Sequence, residues 1–362
     1  CFCMEFTVEK TKTPKARPTD DSKLGFGHIF TDHMFMMDWD QENGWHDAKI
    51  LPFQDVPLSP AANCLHYSQE VFEGLKAYRT ADGVVQLFRP EENFKRMNTS
   101  CDRICMPKID VDFCVKALKA LVELDAEWVP KTYGASLYIR PFMIATERNL
   151  GAHTSTDYKF FIIMSPSGAY YEGGLAPVKI YVETNFVRAV RGGTGHVKTG
   201  GNYAASMKAQ EVAEEQGYSQ VLWLDAIHHR YVGEVGAMNV MFVLGDEVVT
   251  PELDGTILPG ITRKSALEVL RHKGYKVTER QLDIEEVVEA YKNGQLKEAF
   301  GTGTAAVISP IGELKYKDLV MRIHDEKIGP ISQMLYDTMT GIQWGKIEDP
   351  FGWVVPVCKL DD

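Results

Sequence analysis

The chain lacks any apolar run long enough to cross a bilayer as a helix, so no membrane span is expected. It also lacks a basic excess: 39 Lys and Arg stand against 50 Asp and Glu, a formal charge of −11. Binding a nucleic-acid backbone needs clustered cations, so nucleic acid is not expected as a partner. A small anion stays open, because a few local donors hold one phosphate on an acidic protein. Cysteine is sparse and odd in number, with seven in 362 residues: Cys1, Cys3, Cys64, Cys101, Cys105, Cys114 and Cys358. That excludes a disulfide scaffold and suits reduced thiols in a cytosolic-type compartment. Cys101 and Cys105 are spaced for one helix face, but no further Cys or His pair completes a zinc set, so no metal is expected. Internal repeats and low-complexity segments are absent, and no signal peptide is legible. The expected location is the cytoplasm, or the mitochondrion if a transit peptide has been removed.

What is present is an ordinary globular composition, 44% hydrophobic and 25% charged. At this length two domains are expected. Residues 1–23 are polar and read as a loosely held arm. Ile29–Trp39, Val84–Phe88, Ser136–Thr146 and Lys159–Ser165 suit strands. Pro90, followed by Glu91 and Glu92, opens a helix. Phe94, Met97, Cys101 and Ile104 repeat on it at helical spacing, as do Val111, Val115, Leu118 and Val122 on the next, so both faces are assigned to a core. A Gly/Pro/Ser-rich stretch, 165–177, lies near the midpoint and marks a boundary. The expected division is an arm (1–23), a smaller α/β domain (24–167), a loop (168–177) and a larger domain (178–362). In the second half, strands are expected at Val178–Thr184, Gln220–Asp225, Asn239–Leu244, Glu298–Phe300 and Ala305–Ser309. Helices are expected at about 202–216, 262–273, 284–292 and 330–344. On the first of these, Ala205, Ala209, Val212 and Ala213 are expected to face inward. Hairpin-like and helical segments alternate irregularly, which gives two α/β domains with mixed sheets, of α+β type.

The densest chemical signal is Arg191-Gly-Gly-Thr-Gly-His-Val-Lys-Thr-Gly-Gly-Asn-Tyr203, a lysine among five glycines just before a helix. Glycines let backbone approach a ligand closely, and a lysine held there can attack a carbonyl if desolvation keeps part of it neutral. A flexible surface turn is the plain alternative. A nucleotide P-loop needs Gly directly before the Lys, and Val197 stands there instead. Gly301-Thr-Gly-Thr-Ala-Ala306 superficially fits a dinucleotide fingerprint, but that motif must open a helix. The next four residues, Val-Ile-Ser-Pro, read as a strand and then a break, leaving only a backbone cradle for one phosphate. Glu234, among small and apolar residues, needs a partner if buried, and a structural ion pair is its plain reading. Gly260 precedes a helix whose first amides make a natural phosphate seat.

Eight segments stand in one characteristic order: His66-Tyr67, Val71-Phe-Glu-Gly-Leu-Lys-Ala77, Leu137-Tyr-Ile-Arg-Pro141, Lys198-Thr-Gly-Gly-Asn-Tyr203, Gln220-Val-Leu-Trp-Leu224, Gly233-Glu-Val-Gly236, Leu258-Pro-Gly-Ile-Thr-Arg263 and Gly301-Thr-Gly-Thr-Ala305. Together they resemble the branched-chain aminotransferase family, among the fold-type IV pyridoxal-phosphate enzymes. The resemblance runs from about Phe26 into the C-terminal region. It implies a two-domain enzyme with the cofactor, pyridoxal 5'-phosphate, between the domains. The implied reaction is reversible transfer of the amino group of L-leucine, L-isoleucine or L-valine to 2-oxoglutarate.

In that reading Lys198 forms a Schiff base with the cofactor aldehyde and, once displaced, carries a proton at the substrate Cα. An unperturbed lysine has a pKa of ~10.4, so the amine must be neutralised by its surroundings. Glu234 pairs with the protonated pyridine nitrogen and Tyr203 with the ring hydroxyl oxygen. Arg96, Ile261, Thr262 and Thr304 hold the phosphate. Tyr67, Tyr138 and Arg140, with the Thr304–Ala305 backbone, contact substrate. Phe26, Phe72 and Tyr170 wall an apolar pocket, which Leu150 and Ala152 close from the partner of a homodimer. An apolar pocket separates substrates differing by one methylene by only about 1–3 kcal/mol, so all three branched amino acids should react.

Two departures matter. Some members of the resembled family carry a Cys-x-x-Cys pair just after the Gly-Thr-Ala turn. Here Ala306 and Ser309 stand there, so no thiol switch is expected. Those members also have Thr after Glu-Val-Gly, where this chain has Ala237. Two further readings remain: another fold-type IV enzyme acting on D-amino acids or an aminochorismate, and a non-catalytic phosphate-ligand or nucleotide-binding protein. Tyr67, Arg140 and the 258–263 run favour the first reading over the second, and Val197 counts against the third. His228 and His229 are read as loop residues.

Overall fold

The structure, a computed structural model, describes residues 4–361, so Cys1 and Cys3 lie outside the described residues. The chain divides into two compact units. The first runs to Tyr170 and takes in Val197–Gly200 and the chain from Gly341; the second holds Tyr171–His196 and Gly201–Thr340.

The first unit carries strands β1 (Thr7–Val8), β2 (His33–Asp40), β3 (Gly44–Pro52), β4 (Glu70–Phe72), β5 (Leu75–Arg79), β6 (Val84–Phe88), β7 (Ser136–Ala145) and β8 (Asp157–Ser167). Among the described residues they form one sheet in the order β1-β3-β2-β8-β7-β5-β6, with β4 beside β7. The terminal strand Val354–Lys359 pairs antiparallel with β6. The chain end therefore returns to the first unit, whereas the sequence reading places it with 178–362. Six residues of weak alternation carry no clue to the strand they pair with.

Period-two alternation gives β7 two faces. Leu137, Ile139 and Met143 are buried in the unit's core, while Tyr138, Arg140 and Phe142 lie on the other side, half-buried. Onto the core face pack α2 (Pro90–Arg103) and α3 (Val111–Leu124), after the single-turn α1 (Cys64–Tyr67). Phe94, Met97 and Cys101 of α2 are fully buried as the spacing required, each large side chain contributing about 1.5–3 kcal/mol. On α3 the buried stripe is Phe113, Cys114, Ala117, Leu118, Leu121 and Val122. Val111 and Val115, expected inside, sit half-buried at its edge. The bulkier Phe113 and Leu121 have taken the centre, rotating the helix away from the valines.

The second unit carries β9 (Val178–Val182), β10 (Gln220–Leu224), β11 (Val232–Val235), β12 (Asn239–Leu244), β13 (Glu247–Thr250), β14 (Lys276–Glu279), β15 (Leu296–Gly303), β16 (Val307–Tyr316) and β17 (Leu319–Arg322). The order is β11-β10-β9-β16-β15-β12-β13-β14, with β17 on β16; parallel and antiparallel pairs are mixed. Helices α4 (Gly200–Glu215), α5 (Ile261–His272), α6 (Ile284–Lys292) and α7 (Pro330–Gln343) complete the chain. Gly301–Ala306 joins β15 to β16 as an antiparallel hairpin, so it opens no helix. The expected break at Pro310 does not occur: β16 runs through it to Tyr316. On α4, Ala209 and Ala213 are buried, but Ala205 is exposed and Val212 only half-buried. Small alanines supply little apolar area, so spacing alone did not fix that face. His228 and His229 lie in a surface turn. No helix among the described residues is long and apolar enough to cross a membrane.

Candidate active site

In the first unit, β4, β5 and β7 place a row of side chains beside Lys198. The segment 197–200 is fixed there by backbone: Phe72 N–H donates to Lys198 O at 3.1 Å. Lys198 N–H donates to Ser100 Oγ at 3.0 Å, and Thr199 Oγ1 to Glu70 O at 2.7 Å. A Cβ at Gly200 would stand 2.2 Å from Glu70 Oε1, so a larger residue there would displace the Glu70 carboxylate. Burial pushes the Glu70 carboxyl above its usual range. Lys198 Nζ lies 4.6 Å from the Phe72 ring centroid, and the Arg140 guanidinium 4.8 Å from the same ring. Arg140 Nη2 donates to Tyr138 Oη at 3.2 Å, and Phe26 packs edge-on against Tyr138 at 4.8 Å. Residues 138 and 140 share a face because strand side chains alternate. Gly74 makes room for Tyr138, whose Oη would be 2.1 Å from a Cβ at 74. Lys198, Phe72, Arg140, Tyr138 and Phe26 therefore form one continuous group, a primary amine beside aromatic walls and one arginine.

Arg96 leaves the core stripe of α2, as its position relative to Phe94 and Met97 required. It is not a solvated charge. Its Nε donates to Glu73 Oε1 at 2.9 Å and its Nη2 to Glu73 Oε2 at 2.7 Å, a bidentate pair. Glu73 is fully buried and also accepts from Asn93 Nδ2 at 3.0 Å. Tyr67 stands apart from the Lys198 group in its contacts: Tyr67 Oη donates to Leu150 O at 2.5 Å, and Tyr67, Leu150 and Ala152 are all exposed. Tyr170 is also exposed.

In the second unit Glu234 on β11 is buried and has the partner its burial demands. Arg188 Nε lies 2.6 Å from Glu234 Oε2, a close ion pair rather than an aligned hydrogen bond. Glu234 lines a recess with Arg188, Asn202, Tyr203, Ser206, Gly236 and Leu258. Tyr203 is on the first turn of α4, which Asn202 anchors through Thr194: Thr194 Oγ1 donates to Asn202 Oδ1 at 2.6 Å and Asn202 Nδ2 to Thr194 O at 2.7 Å. Asn239 Nδ2 donates to Leu258 O at 2.9 Å, tying β12 to the turn before α5. That helix starts at Ile261 with no side-chain cap on Gly260, and Thr262 is buried in its first turn. Thr304 and Ala305 lie in the β15–β16 turn, and the buried Thr302 Oγ1 beneath it has no hydrogen-bond partner among the described residues.

The family profile described as amino-transferase class IV matches residues 70–314. The chain belongs to the class IV aminotransferases. It is an enzyme, a transaminase, and its relatives place it with the branched-chain members. Branched-chain-amino-acid aminotransferase 2 of Bacillus subtilis (strain 168) is 54% identical over 355 residues, 98% of either chain. A probable branched-chain-amino-acid aminotransferase of Staphylococcus aureus (strain N315) is 54% identical over 97% of this chain and 98% of its own. The crystal structure of the Escherichia coli branched-chain amino acid aminotransferase superposes with a TM-score of 0.74 at 25% identity, covering 90% of this chain and 99% of that one. The T.th. branched-chain amino acid aminotransferase complexed with N-(5'-phosphopyridoxyl)-L-glutamate gives 0.74 at 25%, covering 91% and 100%.

Sequence reasoning missed several residues that hold these two groups of side chains in place. Glu73, Ser100, Arg188 and Asn239 were not singled out. Glu73 lies inside a quoted segment, and a carboxylate between Phe72 and Gly74 in a strand-rich stretch was the available signal. Nothing local marks Arg188. Asp38, His46 and Asp47 also come within reach of one another on the β2–β3 hairpin. His46 there bonds Asp40 and Asp47, and Asp38 bonds Lys159, so the cluster is internally satisfied.

Proposed function

We propose that this aminotransferase transfers the amino group of L-leucine, L-isoleucine and L-valine to 2-oxoglutarate, with pyridoxal 5'-phosphate as cofactor. The observation that carries the reading is the group in which Lys198 and Arg140 flank the Phe72 ring. It offers a nucleophilic amine, an apolar wall and one cation for a carboxylate.

The donor set fits the cofactor. An aldehyde needs an amine, a pyridine nitrogen needs a buried carboxylate, and a phosphate needs a helix start and hydroxyls. Lys198, Glu234, the uncapped start of α5 and the unpartnered Thr302 hydroxyl supply them. When bound, the cofactor supplies an electron sink for the bond breaking at Cα. Lys198 would hold the cofactor through its amine and would move the proton at the substrate Cα. Glu234 holds the ring nitrogen and Tyr203 the ring hydroxyl oxygen. Arg96, Ile261, Thr262 and Thr304 hold the phosphate, with Glu73 fixing the Arg96 guanidinium. Arg140 and Tyr138, with the Thr304–Ala305 backbone, orient carboxylate groups, while Phe26, Phe72 and Tyr170 exclude water from the side-chain pocket. Tyr67 is bonded to Leu150, so the two act together with Ala152, serving the pocket of the second subunit in a homodimer.

Borohydride reduction followed by peptide mapping tests the cofactor and the amine together, with a pyridoxyl adduct expected on Lys198. Incubation with L-leucine, D-alanine and aminodeoxychorismate then separates the class IV substrates, and turnover of L-leucine alone is expected. An adduct on another lysine, or none, refutes the assignment. Light scattering tests the dimer.

A further inference from the structure

The Arg188 side chain, only 9% exposed, holds three segments of the second unit at once. Its Nε pairs with Glu234, Nη1 donates to Thr256 O at 2.9 Å, and Nη2 donates to Gly195 O at 3.1 Å. Thr256 leads into the Leu258–Pro–Gly turn before α5, and Gly195 leads into the segment bearing Lys198. These backbones converge tightly: a Cβ at 195 would stand 2.3 Å from Ala189 Cβ and 2.6 Å from Thr256 O. A planar, permanently charged fork suits such a junction, which lysine cannot reproduce.

The electrostatics point the same way. A carboxylate taken out of water tends to accept a proton, and a cation at ion-pair distance opposes that. The Arg188–Glu234 pair is the common wall of two spaces. One is the recess with Tyr203. The other is a cavity of about 320 Å³ whose lining adds Asp225, Asp254, Glu252, Arg191 and His228. Asp225 is occupied by the backbone amides of Ile227, His228, Arg230 and Tyr231, and Asp254 by Thr256. Arg191, His228 and Glu252 are exposed, where water screens them. Arg188 is thus the cation set directly against Glu234.

We propose that Arg188 is a positioning residue of this site: it keeps Glu234 ionised and turned to the recess, and so places the proton shared by Glu234 and the cofactor's ring nitrogen on the ring. This rests on the role proposed above for Glu234. Arg188 would also repel a charged ring, but a carboxylate holding the ring nitrogen would be the nearer charge, and Coulomb interaction weakens with distance.

The test binds pyridoxal phosphate labelled with ¹⁵N in the ring to the wild type, Arg188→Gln and Arg188→Lys, and reads the ring nitrogen by NMR at neutral pH. The wild type should give a protonated ring, and R188Q should shift it toward the neutral position. R188K keeps the charge but cannot reach both carbonyls. Its ring should stay protonated while cofactor affinity falls roughly fivefold to tenfold, the worth of about one hydrogen bond. An R188Q ring as protonated as the wild type's overturns the inference. Should R188Q fail to fold, R188K decides: a neutral ring or an unchanged affinity overturns it. A neutral ring in the wild type instead refutes the role of Glu234, leaving the two failures distinct.

Discussion

Replacing Glu73 by alanine removes the carboxylate around which one corner of the first unit is built. Glu73 is fully buried and accepts from Arg96 Nε, Arg96 Nη2 and Asn93 Nδ2 at 2.7–3.0 Å. The Arg96 side chain is only 9% exposed, so its charge loses a partner where water is scarce. Breaking a buried ion pair from one side costs about 3–5 kcal/mol. Glu73→Gln keeps the shape and one acceptor, and should cost about 1–3 kcal/mol. In urea, with a slope of ~3 kcal/mol/M for a unit of this size, the alanine variant should lower the midpoint by about 1–1.7 M. The assay is apoprotein unfolding followed by hydrogen exchange of the amides in β5 and α2, because a two-unit chain need not melt in one step. A midpoint within 0.3 M (an order-of-magnitude margin, roughly 1 kcal/mol) of the wild type would refute the claim that the pair stabilises the corner.

Arg96→Ala should weaken cofactor binding by roughly 10- to 150-fold, the worth of a charge-assisted hydrogen bond, as read by fluorescence titration of the apoprotein. Lys76 is buried and its pKa is lowered to about 8 by desolvation alone. Between about 8 and 10.5 the unfolded chain binds a proton that the folded chain has released, so the contribution of Lys76 to stability should rise with pH across that window. Lys76→Met should flatten that rise in denaturation curves taken from pH 7.5 to 10.5. A thiol reagent should modify Cys105, which is exposed, before Cys101, whose buried thiol is pushed up to about 12. Mass spectrometry of early time points checks the order.

Much of the local structure was legible because it depends on near neighbours in sequence. Proline with two glutamates started α2, the Phe94/Met97/Cys101 stripe marked its buried face, and Asn239–Leu244 and Ile284–Lys292 carried their own periodicity. The failures have a common cause. The buried face of α3 turned toward Phe113 and Leu121 because a competing pair of bulkier residues was available. Pro310 stayed within β16 because it stands where the strand's pairing passes from β15 to β9, so its missing donor costs little there. Neither outcome follows from a window of ten residues.

The sequence by itself determined which chemical groups exist and which family they spell: a lysine among glycines, a carboxylate among small residues, a helix opened by Gly260. Only the tertiary structure decided their partners. It set Glu73 against Arg96, returned the terminal strand to β6, and brought Lys198, Arg140 and Phe72 together from segments far apart in the chain. Above all it gave Glu234 its cation in Arg188, a residue with no local signature. Charge and hydrogen-bond partners act through space and local dielectric, and those depend on how distant backbone is folded together.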